Sequence, residues 1–211
     1  MRTAIGFILF LVLGFCGAAS GAAYDDFLNA VKAGDARVAG QLLLRGMDPD
    51  TVDPSGQPVL HLAARSGALE VVKLLVGARA DVDKRNGNGE SAIMLAALNG
   101  HRSVVEFLLE KEAQINHPGW TPLLYAATNG HLQIVKRLVE NHAYIDASSP
   151  NGLTSLMMAA RGGHVDTIRF LLDGDADPRL LNDLGESALV WAERARNTDI
   201  AALLRARMKP Q

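Results

Sequence analysis

The chain of 211 residues has a single cysteine, Cys16, so no disulfide can close within it. It has no Asn-x-Ser/Thr acceptor either: Asn86, Asn88, Asn99, Asn129, Asn151 and Asn197 all lack the hydroxyl two places on. That absence fits a bacterial periplasm better than a eukaryotic secretory route. Lys and Arg are scattered and never form a run of five. A nucleic-acid partner is therefore not expected, because phosphate binding needs cations gathered on one face. No Ser- or Pro-rich linker interrupts the chain, which reads as one domain. After the first residues no segment is long and apolar enough to span a bilayer.

The first residues are of another kind. Arg2 supplies one positive charge, Ala4 to Phe15 is almost wholly apolar, and Ala18-Ala19-Ser20-Gly21-Ala22-Ala23 offers small residues. This is the pattern of a secretory signal over residues 1–22, with cleavage after Ala22 and a mature chain from Ala23. A retained anchor is the alternative, although the apolar stretch is shorter than the ~20 residues a spanning helix needs. Lipidation at Cys16 is a weaker alternative, since bulky Phe15 precedes it. Processing removes Arg2 and Cys16, changes the formal net charge from -2 to -3, and leaves a mature chain with no cysteine. Such a chain is expected in the periplasm, or secreted, with no membrane association once the signal is gone.

What the chain does have is a period. Gly56, Gly89, Gly119, Gly152 and Gly185 follow one another at steps of 33, 30, 33 and 33 residues. The pairs Ala63-Ala64, Ala96-Ala97, Ala126-Ala127 and Ala159-Ala160 keep the same step, and Ala192-Glu193 keeps half of it. A fixed period of this length means stacked units. In one copy, Thr121 is an N-cap, Pro122 takes the first helical position, and Asn129-Gly130 ends a short helix. A second helix over 131–140 puts Leu132, Ile134, Val135, Leu138 and Val139 on one face. Neither helix buries that face alone, so each unit must lean on its neighbours.

The copies Pro58 to Ala64, Thr121 to Ala127 and Thr154 to Ala160, with Gly100-His101, Gly130-His131 and Gly163-His164 supplying the G-H step in the array, resemble the ankyrin repeat with its T-P-L-H-x-A-A and G-H signature. The resemblance covers Tyr24 to about Arg205. It implies an all-α solenoid of helix-turn-helix units joined by hairpin-like turns, with four internal repeats and two caps. The units fall at 23–52 (cap), 53–85, 86–116, 117–147, 148–181 and 182–207 (cap), with Leu189 to Leu204 Arg-rich and frayed and a loose tail at 208–211. It also implies that His61, His101, His131 and His164 hydrogen-bond between backbone turns. The glycine expected where each second helix reverses survives only as Gly46, and Arg79, Glu112, His142 and Asp175 stand in its place elsewhere.

No catalytic constellation stands out, and the chain is not read as an enzyme. Gly87-Asn88-Gly89 lacks the rest of a dinucleotide fingerprint. Asp48-Pro49-Asp50 and Asp173 to Asp177 lack the spacing and closing Glu of a calcium loop and read as solvated turns. His117 and His142 are off-pattern, with no Cys or paired carboxylate to complete a metal set, so no metal or cofactor is expected. A small-ligand or metal site on these two histidines and a notch near Trp120 is the alternative from another class.

Function is therefore sought among residues the repeat does not need. After the phase glycines these are Gln57, Glu90, Trp120, Leu153 and Glu186, and after the alanine pairs Arg65, Leu98, Thr128, Arg161 and Arg194. Leu98, Trp120, Thr128 and Leu153 form an apolar centre on the palm of the array, with Glu90 beside it and Arg65, Arg161 and Arg194 at its rim. Trp and Arg dominate binding hot spots, so this face is expected to hold a protein partner, with the chain a monomer. Trp120 has a second reading, local packing on Pro118. The 30-residue step also shortens the turn Asn116-His117-Pro118, which is expected to open a notch. Resemblance to small signal-bearing bacterial ankyrin proteins implies an accessory to an oxidative-stress enzyme such as catalase, or an immunity protein against a toxin; a secreted effector is a further reading.

Overall fold

Alanine pairs and G-H steps at a fixed phase lead to a stack of helix pairs. The computed structural model describes residues 18–208; the expectations for Ala4 to Phe15, for Cys16 and for residues 209–211 lie outside them. Twelve helices occur among the described residues: α1 (Ala18–Ala33) with α2 (Ala36–Leu44), α3 (Val59–Ser66) with α4 (Leu69–Gly77), α5 (Ala92–Leu98) with α6 (Arg102–Glu110), α7 (Pro122–Thr128) with α8 (Leu132–Glu140), α9 (Ser155–Gly162) with α10 (Val165–Asp173), and α11 (Ala188–Arg194) with α12 (Thr198–Met208). The odd-numbered helices stack on one another as an inner row and the even-numbered ones as an outer row. Within α7 and α8 the anticipated signals operate. Thr121 Oγ1 accepts from the Leu124 N–H at 3.3 Å, Pro122 opens the helix, and Ile134, Val135 and Leu138 are buried.

The inner row is tight because its contact residues are small. All eight residues of the four alanine pairs are fully buried, as is Ala192. Leu60, Ile93, Leu123 and Leu156, on the same inner helices, are buried with them. At the N-terminal cap, α1 starts at Ala18, ahead of residue 23, since alanine-rich chain is the best helix former. From Gly21 onward, its first buried residue is Phe27.

Side chains sew each unit to the next at two seams. Near the inner helix C-termini, the Nε2–H of His101, His131 and His164 donates to the carbonyls of Arg65, Leu98 and Thr128 at 2.9, 3.0 and 3.0 Å. Asn197 does the same to Ala160 at 3.0 Å in the last unit. On the other seam the N–H groups of Asp81, Gln114, Tyr144 and Asp177 donate to Asp50, Asp83, Asn116 and Asp146. Asp50 and Asp177, read from the sequence as parts of solvated turns, are thus joints of the array.

Two further expectations are revised at the C-terminus. The Arg-rich cap is not frayed: Ile200, Ala201 and Leu204 are buried, Arg205 pairs with Glu193, and Arg207 pairs with Asp173 and donates to the Leu172 carbonyl at 2.9 Å. Its arginines are pins between helices. Met208 belongs to α12, and its carbonyl accepts from Arg179 at 3.2 Å, so the tail does not start there. Among the described residues no helix is long and apolar enough to cross a membrane.

The reversal sites are left-handed as anticipated: Arg79, Glu112, His142 and Asp175 have φ of 71, 59, 67 and 65°, beside Gly46 at 93°. A fifth, Arg196 at 59°, was not anticipated. It takes the place that Gly67, Gly100, Gly130 and Gly163 hold in the repeats. At the first three of those glycines the next unit's histidine ring stands where a Cβ would be. Arg196 itself is exposed among the described residues.

Candidate protein-binding face

The turns between units form fingers with a shared recipe. Asp53, Asn86, Ser149 and Asn182, each three residues before a phase glycine, accept from the N–H of Gln57, Glu90, Leu153 and Glu186 through their side chains. Backbone bonds between the same pairs close the loops at 2.8 to 3.0 Å. The third finger lacks this closure. There the deletion moves Asn116 to the outer seam, where its amide holds the His142 carbonyl and the Tyr144 N–H instead. The expected notch is present as an open groove of about 500 Å³ between the second, third and fourth fingers.

The anticipated site residues divide into those that face outward and those already engaged. Arg65 and Arg161 are exposed, and the Arg161 guanidinium lies 5.7 Å from the centre of the Trp191 ring. Arg194 is exposed but paired with Glu186. Leu98 is half-buried, and its carbonyl accepts from both His131 and Asn129. Thr128 is half-buried with its hydroxyl donating to the Leu124 carbonyl at 2.8 Å. Leu153 is not part of the surface. It is 6% exposed because the fifth finger folds over the fourth, with the Asp183 N–H on the Asn151 carbonyl and the Asn182 backbone against Gly152. The four-residue apolar centre therefore does not form.

Trp120 is half-buried, with its ring 5.3 Å from that of Tyr125, and it walls the groove together with Pro118. Tyr125 belongs to a row that sequence reasoning missed. Leu62, Leu95, Tyr125, Met158 and Trp191 precede the alanine pairs at the same steps of 33, 30, 33 and 33. Leu95 and Met158 are buried, whereas Leu62, Tyr125 and Trp191 are half-exposed and form the floor of the palm. The signal was their common place one residue before the first alanine, with two aromatics on the inner row.

Glu90 organises the floor. Its carboxylate accepts from the Tyr125 hydroxyl at 2.9 Å and from Asn86 Nδ2 at 2.7 Å. Burial opposes its charge, but the hydrogen bonds from Asn86, Tyr125 and Asn88, with Arg65 nearby, hold its pKa below the usual carboxylate value. Burial, and then the Glu90 carboxylate, push the Tyr125 phenol well above its ordinary value. Tyr125 therefore stays a neutral donor, and Glu90 is a fixed anion whose two oxygens are spent on the fold.

His61 is 1% exposed; its Nε2–H donates to the Glu90 carbonyl at 2.8 Å, and its Nδ1 has no partner. Burial lowers its pKa below 6.5. The unfolded chain therefore takes up a proton that the folded chain refuses, and the stability tied to His61 is complete above about pH 6.5 and is lost as pH falls below it. His61→Met, the residue used at the corresponding Met94 and Met157, is expected to flatten the fall in melting temperature between about pH 7 and pH 5. Parallel slopes for the two chains would disprove this role.

His117 has both ring nitrogens engaged, Nδ1 with the Pro118 carbonyl at 3.0 Å and Nε2 with Arg85 at 3.3 Å. His142 is exposed. Among the described residues no three His, Cys, Asp or Glu side chains gather as a metal set.

A family model for ankyrin repeats in three copies matches residues 27–118, 60–149 and 123–210. Protein phosphatase 1 regulatory subunit 27 of Mus musculus is 43% identical over 61 residues, which is 28% of this chain and 40% of that protein. Its Homo sapiens counterpart is 41% identical over the same shares. The chain thus spans about two fifths of the length of these curated relatives. With matches that run from the first cap to the last, and a stack whose glycines, alanine pairs and histidines all keep one phase, the chain belongs to the ankyrin-repeat family.

Proposed function

We propose that this chain is a non-catalytic module, exported to the periplasm, that binds one protein partner on the palm formed by its inner helices. One observation carries the reading: Leu62, Tyr125 and Trp191 leave a half-exposed apolar and aromatic floor, with Arg65 and Arg161 exposed at its rim. Aromatic anchors inside a charged rim are the usual composition of a protein-binding hot spot. The relatives named as regulatory subunits are in keeping with a role exerted on another protein. Export is supported by the pattern of residues 1–22. A cleavage after Ala22 is also in keeping with the cap, since Gly21 and Ala22 are exposed and Phe27, Leu28, Ala30 and Val31 beyond it are buried. The resemblance to small exported bacterial ankyrin proteins makes an oxidative-stress enzyme such as catalase the first partner to test.

The test is affinity capture of C-terminally tagged chain from an osmotic-shock fraction, beside a Tyr125→Ala, Trp191→Ala variant. The expected result is a processed chain starting at Ala23 and a partner whose recovery falls at least about tenfold in the variant. Equal recovery from both chains would place the partner elsewhere. A tagged chain confined to the cytoplasm would end the export reading.

A further inference from the structure

We infer that the groove beside the shortened finger receives a linear segment of the partner in which an Asp or Glu stands next to an aliphatic or aromatic side chain. The inference rests on the protein-binding reading above and names what one part of that surface selects. The groove exists because the third finger is three residues short. The second and fourth fingers flank it, and Gly119 lies low between them, its Cβ position 3.7 Å from Pro150 Cγ. Its apolar walls are Trp120, Pro118 and Pro150. Its volume of about 500 Å³ suits one or two side chains.

The polar side of the groove has one sign. Arg85, Asn88 and His117 line it, and no Asp or Glu does, in a chain where acidic residues outnumber basic ones. Asp83 lies near, but its Oδ1 accepts from the Gln114 N–H on the outer seam. Arg85 is exposed and, like Arg65 and Arg161, pairs with no carboxylate among the described residues.

The guanidinium is also held in place. Nη1 donates to the Gly89 carbonyl at 2.8 Å and lies 3.3 Å from His117 Nε2. His117 donates its Nδ1–H to the Pro118 carbonyl, which in the neutral ring leaves Nε2 as an acceptor facing Arg85. Burial, with Arg85 next to it, lowers the His117 pKa and supports that form. Arg85 thus presents its remaining donors, already oriented, beside an indole and two prolines. That geometry matches the two-pronged acceptor of a carboxylate, and the adjacent walls match an apolar neighbour. A segment of the partner fits better than a free small molecule, because the groove is open and its Trp120 wall touches Tyr125 on the palm floor.

A displayed library of random linear peptides, selected on the full chain, tests this directly. The expected outcome is enrichment of peptides with Asp or Glu beside an apolar residue. Their binding should weaken about tenfold in Arg85→Ala, less in Arg85→Lys, and about tenfold in Trp120→Ala. It should also weaken as salt is raised. Arg85 is on the surface, and melting curves of the variants report whether the fold is kept. Enrichment of peptides without carboxylates, binding indifferent to Arg85→Ala, or no enrichment at all would overturn the inference. Peptides or captured partners lost with Tyr125→Ala, Trp191→Ala but not with Arg85→Ala would leave the palm reading standing while removing the groove. Loss with neither set removes both.

Discussion

Gly67→Ala is expected to lower the unfolding free energy by about 3 kcal/mol, and Gly163→Ala by only about 1. The two glycines make a matched pair. Gly67 caps α3 at φ 73°, ψ 18°, and Gly163 caps α9 at φ 77°, ψ 22°. Each donates its N–H to the last two alanine carbonyls of its helix. An alanine at either site carries the same left-handed penalty, roughly 1 kcal/mol. What differs is the neighbour. A Cβ at Gly67 would lie 2.5 Å from His101 Nδ1 and 2.8 Å from Cγ, whereas at Gly163 its nearest atoms belong to Asn197 at 3.4 Å.

A clash at Cγ cannot be relieved by turning the end of the ring. His101 would have to move as a whole, breaking its 2.9 Å bond to the Arg65 carbonyl and opening the first internal joint. Chemical unfolding of both variants, with His101→Ala and the double Gly67→Ala, His101→Ala, gives the coupling. We expect the double variant to recover about 2 kcal/mol relative to the sum of the singles. Equal costs at Gly67 and Gly163, or additivity in the cycle, would mean that the G-H step does not work through ring-on-glycine packing. Arg196, exposed at the equivalent place with a φ of 59°, shows that the left-handed conformation alone does not demand glycine.

The fold was legible in the sequence because its constraints are steric and therefore periodic. Paired alanines mark where two inner helices touch, and Gly56 and its counterparts mark left-handed turns, so one phase of 33 residues located both. The missing glycines at Arg79, Glu112, His142 and Asp175 were readable for the same reason, since Gly46 shows what the position asks for. The binding face was less legible. Leu153 and Trp120 hold equivalent places after a phase glycine, yet only Trp120 remains at the surface. The difference is set by the fifth finger closing over the fourth, a contact between units that no single repeat encodes. Tyr125 and Trp191 were passed over because they sit inside an apolar run between core residues. Their exposure follows from the direction of the inner helices, which a pattern of apolar residues does not carry.

Placing glycine at Arg79, Glu112, His142 and Asp175 together is expected to raise the unfolding free energy by about 3 kcal/mol. Each of the four is exposed, with φ between 59 and 71°, and none of their side chains makes a hydrogen bond among the described residues. A non-glycine residue in this conformation costs roughly 1–2 kcal/mol, from which the larger backbone entropy of glycine in the unfolded chain takes back about 0.5–1. The net gain per site is then about 0.5–1 kcal/mol. The sites lie in four different repeats, so their effects should add. Glycines already lie close by in two of these turns, at Gly77 and Gly174, but Gly174 has a φ of -93° and the left-handed residue is the one after it. Moving the glycine by one place, Gly174→Asp with Asp175→Gly, keeps the composition but sets a Cβ 3.0 Å from Ile145 Cδ1, so it should stabilise the fourth repeat less than Asp175→Gly alone. For a chain of this size the four-site variant should melt about 10 °C higher. Thermal unfolding followed by circular dichroism, with each single variant beside the four-site one, measures this. An unchanged or lower melting temperature would show that these side chains stabilise the reversals in ways that outweigh their backbone strain.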